Sequence, residues 1–373
     1  MKLSLVGPVY PYRGGIAHFT ASLTRAFLDL DYDLQVISFK RQYPKWLYPG
    51  ESDLDPSGIH ETVTAEFILD PLKPSTWVKA GQRMLAHQSE LAIIEWWTIF
   101  WGPAFYVISK HLHRKGVKIV FLIHNVLPHE EKPWDRKMAK FVLDQGDGFL
   151  VQTGKERQRL VNIIGNSERI RLQLHPVYNF NVFDKPSKKQ ARQKLNLPDD
   201  APVILFFGIV RPYKGLNILL EAMAILNHSR EYYLVIAGEF WQNEEDCRAQ
   251  IRRLGLENRV LIFNYYIPNE ELPTFFSAAD VFTAAYLEGT QSGTTSMAMG
   301  FGTRIVVSDK VARGIPAEYL NSIQTVLSGD PMALAEGIQR AYSEGKRVGK
   351  YLPEGQDWKE FVQALVSLAS GIP

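Results

Sequence analysis

The residues best suited to chemistry stand in Phe207-Gly208-Ile209-Val210-Arg211-Pro212-Tyr213-Lys214-Gly215-Leu216. An apolar run, Val203 to Phe207, precedes them and reads as a buried strand, and a helical pattern, Leu216 to Leu226, follows. Arg211 and Lys214 therefore sit three residues apart on a strand–turn–helix junction, with glycines on both sides. Such a junction offers backbone N–H groups and the positive end of a helix dipole, both of which attract phosphate. Two cations on that turn can neutralise a diphosphate that must leave as an anion. A solvated basic turn is the alternative reading of the same residues.

Two further strand ends carry polar groups. The loop from Gly7 to Ile16 joins the first strand to the first helix, and Gly14-Gly15 lets a backbone come close to a ligand at the helix start. It is not GxGxxG, and no acidic residue closes a second strand at the expected spacing, which argues against a nicotinamide site. His124 ends the strand Lys118–Ile123 and, with Asn125, offers polar groups to a sugar; a histidine that merely caps the strand is the alternative. His18 reads as a surface residue of the first helix. The third cluster, Tyr286 to Thr295, follows the strand Val281–Ala284 and precedes a helix. There Gly289, Thr290, Gln291, Ser292, Gly293 and Thr294 supply N–H groups and hydroxyls suited to phosphate, and Glu288 can accept from sugar hydroxyls. No HxxxH or carboxylate pair has metal-ligand spacing, and His129 and Glu130 do not complete one with His124. Neither a metal nor an organic cofactor is expected.

The elements that must position these residues alternate from end to end. Strand candidates Leu3–Val6, Leu34–Ser38, Leu91–Glu95, Lys118–Ile123 and Gly148–Gln152 are interleaved with helical patterns at Ile16–Leu30, Trp77–Gln88, Ala104–Lys115, Lys137–Asp144 and Lys155–Ile164. An aperiodic stretch with prolines and asparagines, His175 to Lys189, reads as a linker. The pattern then restarts, with strands Val203–Phe207, Tyr233–Ala237, Val260–Phe263, Val281–Ala284 and Arg304–Val307 and helices Leu216–Leu226, Glu245–Leu254, Glu271–Ala278, Thr295–Met299 and Met332–Tyr342. This predicts an α/β protein of two doubly wound Rossmann-like domains, residues 1–180 and 181–355, facing each other across a cleft. Open sheets of this kind bind ligands at the carboxyl ends of their strands, where all three clusters fall.

Composition fits that reading. At 373 residues the chain is too long for one ordinary core. A net charge of +2 gives no reason to expect nucleic acid. Before Phe180 there are 22 basic and 18 acidic residues, a mild excess that suits an anionic surface such as a membrane. The lone Cys247 excludes an internal disulfide. Met1 to Gly7 is too short for a signal-peptide core and suits a first strand. The greasy segment Trp96 to Ile108 falls below the ~18 residues a membrane span needs, so a cytoplasmic protein is expected. Trp96-Trp97-Thr98-Ile99-Phe100-Trp101 reads as core, or alternatively as a sugar-stacking or lipid-facing surface with His111, His113, Arg114, Lys115 and Lys118 behind it.

The chain resembles the family-4 retaining glycosyltransferases, which have the glycosyltransferase B fold. The resemblance runs over nearly the whole chain. It is strongest at the Arg211/Lys214 turn, at Glu271-Leu272 through Ala278-Ala279-Asp280-Val281, and at Ala298 to Val307. It implies that Arg211 and Lys214 hold the donor diphosphate, that Gly14 and Gly15 lie beside the donor phosphates and the acceptor, and that His124 contacts the transferred sugar. It also implies that a last helix, within 356–373, packs back on the first domain. One departure stands out: the family's second glutamate, which grips the donor ribose, is replaced by Met297, or by Ser296 if an eight-residue spacing from Glu288 is kept. The Gln291-Ser292-Gly293 loop looks like that of a bacterial subgroup linked to surface polysaccharide assembly.

The expectation is a metal-independent retaining hexosyltransferase-like enzyme. It would move a sugar from a nucleotide diphosphate to a glycan or lipid-linked glycan in polysaccharide or glycolipid synthesis, in the cytoplasm or at the inner face of the plasma membrane, through peripheral membrane contact. The leaving diphosphate would be stabilised electrostatically by Arg211, Lys214 and helix-start amides. A nucleotide-sugar epimerase of the same fold, or a non-catalytic sugar-nucleotide-binding protein, would carry many of the same residues.

Overall fold

The computed structural model describes residues 1–48, 50, 52–128, 131–178, 184–289, 292–315, 317–344 and 356–369. The chain divides into two units: Met1–Asp55, His60–Leu174 and Gly355–Pro373 form the first, and Pro56–Ile59 with His175–Glu354 the second. Among the described residues each unit is built on one parallel sheet, as the alternation predicts.

In the first unit the strands are β1 (Lys2–Val6), β2 (Asp33–Phe39), β3 (Ala65–Leu69), β4 (Leu91–Trp96), β5 (Lys118–Ile123), β6 (Gly148–Val151) and β7 (Ile170–Leu172), in sheet order β3-β2-β1-β4-β5-β6-β7. The helices between them are α1 (Gly15–Asp29), α2 (Pro74–Ala86), α3 (Gly102–His113), α4 (Asp135–Leu143) and α5 (Gly154–Ile164). Helices cover both faces, so the central strands are buried throughout; every residue of β4 is. Trp96 and Trp101 are core residues, their indole N–H groups donating to the carbonyls of Val126 and Gln42, both at 3.1 Å. Trp96 and Trp101 therefore take the core reading: burying a large apolar side chain is worth roughly 1.5–3 kcal/mol, and the partners for both indoles are internal, while Phe100 of the same run is exposed.

In the second unit the strands are β8 (Val203–Phe207), β9 (Tyr233–Ala237), β10 (Val260–Phe263), β11 (Val281–Ala284), β12 (Arg304–Ser308) and β13 (Gln324–Val326), in order β10-β9-β8-β11-β12-β13. Its helices are α6 (Lys188–Lys194), α7 (Leu216–Asn227), α8 (Glu244–Arg253), α9 (Leu272–Ala278), α10 (Gly293–Phe301), α11 (Asp309–Ala312), α12 (Ala317–Leu320) and α13 (Pro331–Glu344). Inside the stretch expected to be linker, Ser187 opens α6 with a capping box, its hydroxyl accepting from Gln190 N while the Gln190 side chain accepts from Ser187 N. Arg192 of α6 then reaches Asp280 at 2.7 Å, and Asp280 also accepts from Val203 N at 2.8 Å and pairs with Lys188. Asp280 is thus a structural tie between α6, β8 and β11.

Finally, α14 (Gln356–Ala369) belongs to the first unit. Trp358 and Phe361 pack on Phe19 of α1, with ring centroids 5.2 and 5.5 Å away. Among the described residues no helix is long and apolar enough to cross a membrane.

Candidate active site

In both units the chemistry-bearing residues gather at the carboxyl ends of the strands. In the second unit, Gly208 follows β8 with φ of 94°, and a Cβ there would meet Thr294 Cγ2 at 2.9 Å and Lys214 Nζ at 3.2 Å. The turn after it is a single 3-10 turn, Pro212–Lys214, closed by Gly215 at φ 70°. Gly215 has no alternative: a Cβ would strike the carbonyl oxygen of Ala285 at 2.1 Å. That close approach, with Leu287 N donating to Tyr213 O at 2.7 Å, fastens the basic turn to the loop after β11.

Lys214 is only 7% exposed, and its ammonium lies 5.7 Å from the Tyr286 ring centroid. The Arg211 guanidinium stacks over Trp241, 4.7 Å from the centroid. Among the described residues no carboxylate forms an ion pair with either cation. A buried lysine without a counter-ion is costly, and an incoming anion supplies what is missing. Beside it stand three hydroxyls in mutual contact. Tyr286 Oη lies 3.2 Å from Thr294 Oγ1 and from Ser292 Oγ, and Ser292 Oγ lies 3.0 Å from Thr294 Oγ1. Ser292 also caps α10, accepting from Thr295 N at 3.1 Å. Burial, reinforced by Tyr286, holds the Tyr213 phenol well above its usual range, so it stays neutral.

Glu288 is exposed on the same loop, and Gly289 has φ of 95°. Gly293 begins α10, so the first-turn amides of that helix come directly after the Ser292 cap. Thr290 and Gln291 lie outside the described residues, as do His129 and Glu130. Met297 is buried at 7% exposure, and Ser296 at 5% faces His175 Nδ1 at 3.4 Å. Neither position of the family's second glutamate holds an acid here.

In the first unit, Gly14 precedes α1 with φ of 109°, and Gly15 is the helix's first residue. One turn on, Phe19 packs edge-on against His124 at 5.0 Å. His124 is 8% exposed directly after β5, its N–H donating to Trp96 O at 2.9 Å. Its ring is held by internal partners: Gln152 Nε2 lies 3.4 Å from Nδ1, and Glu95 Oε2 3.7 Å from Nε2. Glu95, on β4, is completely buried, accepts from Thr20 Oγ1 at 2.8 Å, and has its carboxyl pKa raised by that burial, with His124 opposing. His18 is not an ordinary surface residue. It is half-buried, 3.9 Å from the buried Asp55, and burial lowers its pKa while Asp55 opposes. Among the described residues no group of three His, Cys, Asp or Glu side chains is placed to hold a metal ion.

Sequence reasoning missed Glu95, Thr20, Gln152 and Trp241 as parts of these clusters. For Glu95 a signal was present: a lone acid inside the apolar run Leu91-Ala92-Ile93-Ile94-Glu95-Trp96. The others become visible only when helices and strands distant in sequence are brought together.

Residues 187–358 match the family model described as Glycosyl transferases group 1. The D-inositol 3-phosphate glycosyltransferase of Mycolicibacterium smegmatis is 27% identical over 232 residues, 60% of this chain and 46% of that protein. The putative glycosyltransferase YtcC of Bacillus subtilis is 26% identical over 247 residues, 62% of this chain and 60% of that one. The chain thus spans between about half and three fifths of these curated relatives. Anabaena Alr3699/HepE, solved in complex with UDP and glucose, superposes with a TM-score of 0.69 at 18% identity, over 100% of this chain and 98% of that one. That likeness shows the fold, two Rossmann-like units of the glycosyltransferase B type.

Proposed function

We propose that this chain, which carries a group 1 glycosyl transferase domain over residues 187–358 and has the glycosyltransferase B fold, is a retaining glycosyltransferase that uses a nucleotide-diphosphate sugar. The observation that carries the reading is Lys214, buried beside Arg211 on the β8 turn, with no ion-pairing carboxylate among the described residues. Both cations and the α10 amides stabilise the charge that develops on the leaving diphosphate. Thr294, Ser292 and Tyr286 orient its phosphate oxygens, and Glu288 accepts from donor hydroxyls in place of the missing second glutamate. Gly14 and Gly15 serve the donor phosphates and the acceptor, and His124 contacts the transferred sugar. Likeness to a protein solved with UDP and glucose favours a UDP-sugar donor.

The acceptor is a glycan or lipid-linked glycan in surface polysaccharide or glycolipid synthesis. Peripheral membrane contact suits such an acceptor. It is supported by exposed aromatics on the first unit, Trp46, Trp134, Phe100 and Phe141, with Lys132 over Trp134 and Lys110 over Tyr106. The deciding experiment is a screen of nucleotide sugars by thermal shift, followed by a donor-hydrolysis assay on those that bind. Binding with slow release of free sugar and nucleoside diphosphate is expected. Release of an isomerised sugar would make the protein an epimerase, and binding with no turnover a sugar-nucleotide-binding protein.

A further inference from the structure

The sheet of the first unit reverses its strand order between β1 and β4, the point at which open α/β sheets gather polar groups. Three residues meet there from three adjacent strands. Gly7 directly follows β1, Glu95 is the penultimate residue of β4, and His124 directly follows β5. Gly7 is required by the carboxylate: a Cβ would lie 2.7 Å from Glu95 Oε2 and 2.9 Å from its Cδ. The side chain of Glu95 leaves the sheet on the face of α1, where Thr20 donates to Oε2 at 2.8 Å. Among the described residues its other oxygen, Oε1, is buried without a hydrogen-bond partner, and so is His124 Nε2.

A fully buried carboxylate held by one hydroxyl is a poor device for stability, because desolvation of the charge outweighs so small a set of partners. It is a good device for orienting an imidazole. Gln152 presents its amide nitrogen to His124 Nδ1, so that atom accepts and the ring proton belongs on Nε2, the nitrogen that faces Glu95. Phe19 closes against the ring at 5.0 Å and is backed by Trp358 and Phe361 of α14. The other acid nearby, Glu156 at the start of α5, is already engaged by Val126 N at 2.6 Å and Arg159 at 2.9 Å.

We propose that Glu95 is a positioning residue for His124, holding the imidazole as its Nε2–H form and in one orientation through the carboxylate–imidazole pair that Gly7 and Thr20 make room for and anchor. The proposal deepens the reading of His124 as the residue that contacts the transferred sugar and rests on it for its consequence in turnover. The pair itself rests only on the geometry above. Trp358 and the α14 helix enter as packing alone, so the device belongs entirely to the first unit.

The test has two arms. In ring-¹⁵N-labelled protein without substrate, His124 should show Nε2 protonated and Nδ1 bare, and Glu95→Leu should abolish that preference. Glu95→Gln, whose amide oxygen can still accept, should retain it. In donor hydrolysis, Glu95→Leu should lower kcat about as far as His124→Ala does, at least ~10-fold, with the donor KM changed less than twofold. The double variant Glu95→Leu/His124→Ala should be no slower than His124→Ala, since groups that act as a unit are non-additive. An unchanged His124 tautomer in Glu95→Leu would overturn the proposal, as would fully additive losses in the double variant. If Leu at this site prevents folding, Glu95→Ala, which likewise removes the acceptor facing Nε2, supplies the same comparison. Full activity in His124→Ala would instead sink the functional reading of His124, and the ¹⁵N arm would still decide the pair.

Discussion

Replacing Lys214 by methionine should separate function from stability in opposite directions. Lys214 is 7% exposed and, among the described residues, forms no ion pair. Two charges 4 Å apart at an effective dielectric of ~20 attract by about 4 kcal/mol, so a bound diphosphate gains that order of energy from Lys214. Losing one preorganised donor to developing charge costs roughly 2.7–4 kcal/mol, which is about 100- to 1,000-fold in kcat. Without ligand the sign reverses. Methionine fills much the same volume beside Tyr286 and Gly208 and removes the desolvation of an unpaired charge, so the free protein should melt at the same temperature or higher. The assays are donor hydrolysis for kcat, calorimetric titration with UDP for affinity, and thermal denaturation with and without UDP. Wild-type protein should be stabilised by UDP far more than Lys214→Met. A free variant that melts markedly lower while binding UDP as well as wild type would show that Lys214 is structural, and the reasoning from its burial would be refuted.

Further outcomes follow from other parts of the structure. Arg211→Lys should restore only part of the activity lost in Arg211→Ala, because the guanidinium fork and its stacking on Trp241 at 4.7 Å are both lost; equal activity of Arg211→Lys and wild type would contradict a bidentate role. Gly215→Ala should cost more stability by urea denaturation than Gly255→Ala. Both have positive φ, worth about 1–3 kcal/mol of strain each, but only at Gly215 would a Cβ meet a carbonyl oxygen at 2.1 Å, and at Gly255 it meets nothing within 4 Å. Glu288→Gln should weaken donor affinity by roughly 10- to 100-fold, the worth of a charge-assisted hydrogen bond of ~1.5–3 kcal/mol, and unchanged affinity would leave the donor hydroxyls to other groups. In that variant Met297→Glu should destabilise the fold rather than rescue binding, since Met297 is 7% exposed. Turnover should survive exhaustive chelation, and an activity recovered only by adding Mg²⁺ or Mn²⁺ would assign the diphosphate charge to a metal instead of Arg211 and Lys214.

What the sequence determined by itself was the alternation and the placing of the loops. Central strands such as β4, β5 and β8 are buried on both faces, so they appear as predominantly apolar runs, and turns after them carry their own glycines and charges. Arg211, Lys214, His124 and the loop from Glu288 to Thr294 could be found this way because each signal is contiguous in the chain. The strands that escaped, β3, β7 and β13, all lie at sheet edges and are short or half-exposed, so pairing with one neighbour makes them strands where their own pattern does not. Helix α6, which starts at the end of the stretch read as linker, escaped for a similar reason: its stability comes from the Ser187 cap and from Arg192 reaching Asp280, 88 residues away. Only the tertiary structure decided that Lys214 is buried against Tyr286, that Arg211 lies on Trp241, and that Trp96 and Trp101 face inward. It alone joined Gly7, Thr20, Glu95 and His124. Burial and charge pairing are properties of neighbours in space, and a sheet that orders its strands β1-β4-β5 makes neighbours of residues that the chain keeps far apart.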